Sequence, residues 1–437
     1  MDSSPALDWW RADAPAPSLG REAEEPSAGL AFWSFAAFTF VLVIAPQDFV
    51  PGLSVIRPAL LAGGMAGFGY IVERLQSRNS GGAWNAPTVL AGLLLGWAIA
   101  TIPLSYWPGG SVSTLLELYI KALIAFWLAG RVVNRPSQLR TLFWLLSAFT
   151  VPIALTGIRH YSSGAFTEGA GARIQGYGQG LASNPNDLAL TLDIVIPMTI
   201  ALMFTSTRWS SRVAALSILL IDVVAVIVTY SRGGFLGLAI VGVLTFGWLI
   251  KRGAGVAGCA AVVGAVLLVP LLPSTYLERL GTISNYQADP TGSAQERWRD
   301  MGVATEFLFE HPVVGAGLGQ DLLALNQVRG PTWRSVHNAY LNYGVDLGLP
   351  GLGLFLALLI STLHAVWKVE RRLSGVLRFD ELATFAHGLR VSLLTFAAAA
   401  FFYPVAYHFY FYYLAGLAVA VRAIAQRLRL EDLRDAI

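Results

Sequence analysis

The sequence predicts an all-α integral membrane protein with about twelve transmembrane helices, and three observations lead there. Over 437 residues the chain is 55% hydrophobic and only 13% charged, well below the quarter or so of charged residues usual in soluble domains. Its apolar residues gather in repeated runs of roughly 17 to 25, the length a helix needs to cross a hydrocarbon core of about 30 Å. Lys and Arg collect in the loops between alternate runs, the asymmetry that sets the orientation of a multi-pass chain.

The first 28 residues are polar, rich in Pro and Ala, and lack the basic start and apolar core of a signal peptide. They are expected to form a disordered cytoplasmic tail. Apolar runs follow at about 29–46, 54–73, 88–106, 113–133, 139–157, 185–205, 213–230, 234–250, 254–272, 348–367, 388–404 and 409–426. With a cytoplasmic N-terminus, the cytoplasmic loops hold Arg74 and Arg78, then Arg131, Arg135 and Arg140, then Arg208 and Arg212, then Lys251 and Arg252, then Lys368, Arg371, Arg372 and Arg378. A missed or invented span would invert this alternation downstream, so the charges support the count. The expected organisation is a tail over 1–28, spans one to nine within 29–272, a large outer loop over 273–347, spans ten to twelve within 348–426, and a cytoplasmic tail over 427–437.

A formal charge of +3 and a pI near 9.0 do not indicate nucleic acid, because the cations form short clusters between apolar runs rather than one stripe. The single cysteine, Cys259, excludes an intrachain disulfide and a thiolate metal site. The sequence has no Walker A loop, paired-histidine zinc motif, G-x-S-x-G elbow or outer D-x-D pair, so neither a metal nor a cofactor is expected.

Four polar clusters fall on the outer side: RIQGYGQGLASNPND (173–187), YSRGG (230–234), QERWRDMGVATEFLFEHPVVGAGLG (295–319) and VHNAYLNYGVDLG (336–348). A polar site at the outer mouth of a helical bundle suits a substrate whose lipid tail stays in the bilayer. A diphosphate leaving group calls for charge-assisted, bidentate donors, which a guanidinium supplies in a fixed fork. Arg232 and Arg297 are the candidates; alone, the first also reads as a snorkelling interfacial residue and the second as a solvated loop charge. His337 stands just ahead of a span, either as a base for a hydroxyl acceptor or as a hydrogen-bonded structural residue. Asn338 and Tyr340 read as site residues or as helix-capping and interfacial ones. In SNPND, Ser183 or Asn184 can cap a helix with Pro185 in its first turn, while Asn184 and Asn186 could also donate to sugar or phosphate. GAGLG lies outside any βαβ unit and reads as a tight loop, and Gly233 and Gly237 have the spacing of a close helix contact.

In this order the clusters resemble the O-antigen ligase and polymerase superfamily of bacterial membrane proteins: RIxG followed by NPND, SRGG at the end of a span, an Arg shortly before HPVVGAGLG, then HNAYLxxxxxxGLPG. The resemblance covers roughly residues 170–365. It implies a C-type glycosyltransferase-like fold with a large periplasmic loop between spans nine and ten, in the bacterial inner membrane, with both termini cytoplasmic and the active site periplasmic. It also implies a glycan donor on undecaprenyl diphosphate, with arginines holding the diphosphate and a loop histidine activating the acceptor. Carried over by motif, Arg232 and Arg297 match the arginines and His337 the histidine. Arg299 rivals Arg297 within QERWR, and Arg173 and Ser231 are further substrate contacts. The implied reaction is a metal-independent transfer to lipid A core, with a second lipid-linked glycan (polymerase) or a protein hydroxyl as alternative acceptors. A flippase or transporter is the rival class; Lys121, Asp193 and Asp222, the ionisable residues inside apolar runs, form no repeat.

Overall fold

The computed structural model describes residues 29–76, 85–166, 173–178, 181–256, 292–376 and 380–435, with isolated positions between 258 and 287. The expected tail over 1–28, most of the ninth run at 254–272 and nearly all of 273–291 lie outside the described residues.

The described residues form helices α1 (Leu30–Ile44), α2 (Pro58–Gln76), α3 (Ala86–Thr101), α4 (Pro108–Thr114), α5 (Ile120–Val132), α6 (Pro136–Ser162), α7 (Pro185–Thr205), α8 (Trp209–Val228), α9 (Arg232–Lys251), α10 (Ser293–Glu310), α11 (Asp321–Arg329), α12 (Ala339–Leu373), α13 (Asp380–Ala399) and α14 (Phe409–Asp435). One isolated bridge, Phe166 with Ile174, interrupts the helical pattern. A π-helical stretch, Leu115–Tyr119, joins α4 and α5 into one span.

Among the described residues, 10 helices are long and apolar enough to cross a membrane. The first run gives only the 15 residues of α1, about 22 Å at 1.5 Å per residue, shorter than the hydrocarbon core. Phe68, Leu220, Val243 and Ile360 are exposed on the outside of the bundle, a surface suited to lipid rather than water. The interior is built on α7, which packs against α6, α8, α9 and α13, and on α12, which packs against α3, α13 and α14.

Three expected boundaries move. The outer loop stops short of residue 347, because α12 begins at Ala339 and runs through a kink at Gly348, where φ is 67 and Pro350 follows. The GLPG break is what reads as a span start in the sequence. α13 spans Asp380–Ala399 rather than 388–404, because Asp380 and Glu381 complement the helix dipole in its first turn. α14 continues to Asp435, so most of the expected tail over 427–437 is helical. The outer loop also contains α10 and α11.

GAGLG is the predicted tight loop, and its glycines have two physical reasons. Gly315, Gly317 and Gly319 have φ of 69, 99 and 71, a left-handed region that side chains rarely adopt. The backbone also lies against neighbouring segments: a Cβ on Gly317 would sit 1.9 Å from that of Ser105, between α3 and α4, and one on Gly315 would sit 2.4 Å from the Val345 carbonyl oxygen of α12. Asp346 of α12 locks the loop by accepting the N–H of Gly319 at 3.0 Å and of Asp321 at 2.7 Å. Asp321 in turn accepts from the Ser335 hydroxyl at 2.5 Å, the Val336 N–H at 3.2 Å and the Asn342 amide at 2.8 Å. Asp346 and Asp321 thus anchor the strip of chain that ends at His337.

Gly317→Ala is expected to destabilise the protein by at least about 2 kcal/mol, since strain and overlap act together. Gly302→Ala, in α10 with nothing within 4 Å of the added carbon, is expected to be neutral or to stabilise by about 0.5 to 1 kcal/mol. Thermal unfolding in detergent measures both, and equal effects would contradict the close approach at Gly317.

Candidate functional site

Three helix starts build the site. Asn184 caps α7, its Oδ1 accepting the N–H of Asn186 and of Asp187 at 3.0 Å, with Pro185 in the first turn. Ser231 caps α9 by accepting the Gly234 N–H at 3.2 Å, so SRGG, which reads as ending one span, also begins the next. Asn338 caps α12 by accepting the Leu341 N–H at 3.1 Å. The positive ends of these helix dipoles lie on the same side of the bundle, which favours negative charge there.

Ser231 connects these parts. A serine hydroxyl has one donor and two acceptor sites. It accepts from Gly234, donates to Asn186 Oδ1 at 3.1 Å, and so receives the Tyr403 hydroxyl at 3.1 Å. Arg173 donates to the same Asn186 oxygen at 2.6 Å. The glycines allow this convergence: a Cβ on Gly233 would meet the Tyr403 hydroxyl at 2.7 Å, and one on Gly237 would meet Asp193 of α7 at 2.2 Å. The close helix contact expected of Gly233 and Gly237 is made by Gly237 with α7, while Gly233 lies against Tyr403 in the turn between α13 and α14.

Arg173, Asn186, Ser231, Arg232 and Arg297 line one polar niche with Tyr230 and Tyr403. It adjoins a pocket of about 480 Å³ shared by Arg232, Arg297 and His337, whose other walls are Leu236, Trp298, Met301, Phe401 and Phe402. Arg232 also donates to Ser293 Oγ at 3.0 Å, at the start of α10, the helix that carries Arg297. Burial, and next to it the guanidinium of Arg297, pushes the His337 imidazole down to about 4; Arg334 and Arg173 add to this, and the backbone of Ser335 opposes it. At neutral pH the ring is uncharged and able to accept a proton.

The other predicted site residues lie elsewhere. Arg299 is exposed and lines neither cavity, so of the two arginines in QERWR the fold brings only Arg297 to the pocket. Asn184 and Asn338 serve as the caps described, and Tyr340 donates to the Ala397 carbonyl at 2.6 Å while packing on Phe401. Asp300 is a structural ion-pair centre, 2.7 Å from Arg329 and 3.3 Å from Arg334. Sequence reasoning missed Tyr403, Phe401 and Phe402, which enter from the turn between α13 and α14. Their only signal was the aromatic run FFYP (401–404) on the outer side.

Titration of His337, followed by NMR of labelled histidine with His337→Ala for assignment, is expected to show a midpoint near 4 instead of the ordinary 6.5. Arg297→Gln removes a repulsive charge and is expected to raise it. A wild-type midpoint at 6.5 would mean that the pocket does not enclose the ring.

No curated protein matches the chain in a sequence comparison. A family model described as O-antigen ligase matches residues 215–356, a window that holds Arg232, Arg297 and His337 and leaves Arg173 and Asn186 before it. The match covers the segment that carries the pocket, so this segment of the chain is similar to the O-antigen ligase family.

Proposed function

We propose that the protein transfers a glycan from undecaprenyl diphosphate to an acceptor hydroxyl on the periplasmic face of the bacterial inner membrane, with lipid A core as the acceptor. The observation that carries this reading is the pocket shared by Arg232, Arg297 and His337, cationic at one end and apolar along Leu236, Trp298, Met301, Phe401 and Phe402. A polyprenyl diphosphate has the same two-part chemistry. The similarity of residues 215–356 to the O-antigen ligase family supports glycan transfer as the reaction class.

In the proposed step the acceptor oxygen attacks the anomeric carbon and its proton passes to the His337 imidazole. The bond from that carbon to the diphosphate oxygen breaks, and undecaprenyl diphosphate leaves as an anion with inversion at the sugar. Arg232 and Arg297 hold the departing charge, the guanidinium groups supplying the neutralising charge that metal ions supply elsewhere. Arg173, tied to Asn186, adds a third cation to the niche.

A base at about 4 is weak, and the donor corrects this. Diphosphate placed beside Arg297 offsets the cation that helps to depress His337, so the imidazole becomes more basic once the donor is bound. Burial, the larger cause, persists. The acid limb of kcat, which reports the bound enzyme, is therefore expected at higher pH than that of kcat/KM for the donor, which reports the free enzyme. Coincident limbs would remove donor binding as the activator of the base.

Arg232→Lys and Arg297→Lys are each expected to lower transfer by about 100-fold, since an ammonium cannot reproduce a two-point contact. Near-normal turnover at wild-type expression would sink the assignment. The acceptor is tested in a null mutant of the native host complemented with wild type or His337→Ala, comparing lipopolysaccharide ladders with the carrier-linked glycan pool. Loss of long chains from lipid A core with accumulation on the carrier, restored only by the wild type, supports ligation. An unchanged ladder directs attention to a second glycan or a protein hydroxyl, and carrier-glycan movement without bond formation would favour a flippase.

A further inference from the structure

A second cavity lies at the opposite end of the bundle from His337, about 50 Å along the path of α12 at 1.5 Å per residue. It measures about 700 Å³. On one wall His364, Lys368 and Arg372 follow one another at intervals of four, which puts all three on one face of α12. Arg422 faces them from α14, within its membrane-spanning stretch of Phe409–Leu428. Val369 and Leu428 are among the apolar residues between the cations.

The positive-inside rule accounts for cations near the ends of spans but not for this convergence. Like charges four apart on a helix repel, and an arginine within a span is costly unless something offsets it. Other cations toward this end have acid partners: Arg140 pairs with Glu381, Arg252 with Asp380 and Arg390 with Glu370. Lys368, Arg372 and Arg422 form no ion pair among the described residues.

We infer that this cavity is a binding site for an anionic phospholipid of the leaflet facing away from the catalytic pocket. Its headgroup phosphate lies among Lys368, Arg372 and Arg422, and its acyl chains run past Val369 and Leu428 into the bilayer. Basic pockets between spans hold anionic headgroups in this way.

The test uses the full-length protein in detergent, with phosphatidylglycerol or phosphatidylcholine of identical acyl chains, read by native mass spectrometry and thermal shift. Wild type is expected to prefer phosphatidylglycerol by about a hundredfold, on the basis of about fivefold for each of the three cations. A Lys368→Gln, Arg372→Gln, Arg422→Gln triple variant is expected to bind both lipids equally, while a charge-retaining Lys368→Arg, Arg372→Lys, Arg422→Lys variant keeps the preference. Equal retention of the two lipids by wild type overturns the site without need of any variant, and so does an undiminished preference in the glutamine variant. Stabilisation by inorganic phosphate as strong as that by phosphatidylglycerol overturns the lipid as the occupant.

Discussion

The hydrogen bonds of the Ser231 hydroxyl are the constraint on which the site rests. One oxygen caps α9, donates to Asn186 at the start of α7 and receives Tyr403 from the turn before α14. Every hydrogen-bonding position of that oxygen is used, and the residue is buried at 2% exposure, so the three segments have little freedom to slide past one another. The adjoining Tyr230 is held at φ 53, a left-handed conformation that costs a non-glycine residue about 1 to 3 kcal/mol and persists where the surroundings over-determine it. It places Ser231 inward and Arg232 at the rim of the same pocket.

Around this centre the protein gathers positive charge beside an apolar surface. Arg173, Arg232 and Arg297 meet in one niche, and helix starts add the positive ends of their dipoles. Trp298, Phe401 and Phe402 keep part of the neighbouring pocket apolar, so charges there interact more strongly than they would in water. Under the proposed function such a site suits an anion that carries an apolar tail, and a donor bound beside Arg297 ties the basicity of His337 to occupancy of the site.

The anchoring of His337 uses a different chemistry. Its strip of chain hangs on Asp321 and Asp346, which exchange hydrogen bonds with backbone and with Asn342 and Ser335. Burial raises the Asp321 carboxyl above its ordinary range, while these hydrogen bonds and Arg329 pull the other way. Nearby, Asp300 holds Arg329 and Arg334, fixing α11 and the segment after it against α10, which carries Arg297. The acids in the outer segment therefore act on the geometry of the two catalytic candidates rather than on the substrate.

The sequence by itself determined the multi-pass membrane class and most of the apolar runs that become helices, because hydrophobic length is a local property that needs no partner. It also carried the caps of α7 and α12, which depend on a few consecutive residues. Only the tertiary structure shows that Arg297 lines the pocket and Arg299 does not, since two residues of one helix turn face different neighbours only once α10 has packed. It alone brought Tyr403 and Phe402 to arginines distant in sequence, and revealed Asp321 and Asp346 as anchors, because hydrogen bonds between segments have no local signature. The start of α12 was hidden for the opposite reason: the kink at Gly348 is a local signal strong enough to read as an end, and packing against α3, α13 and α14 carries the helix through it.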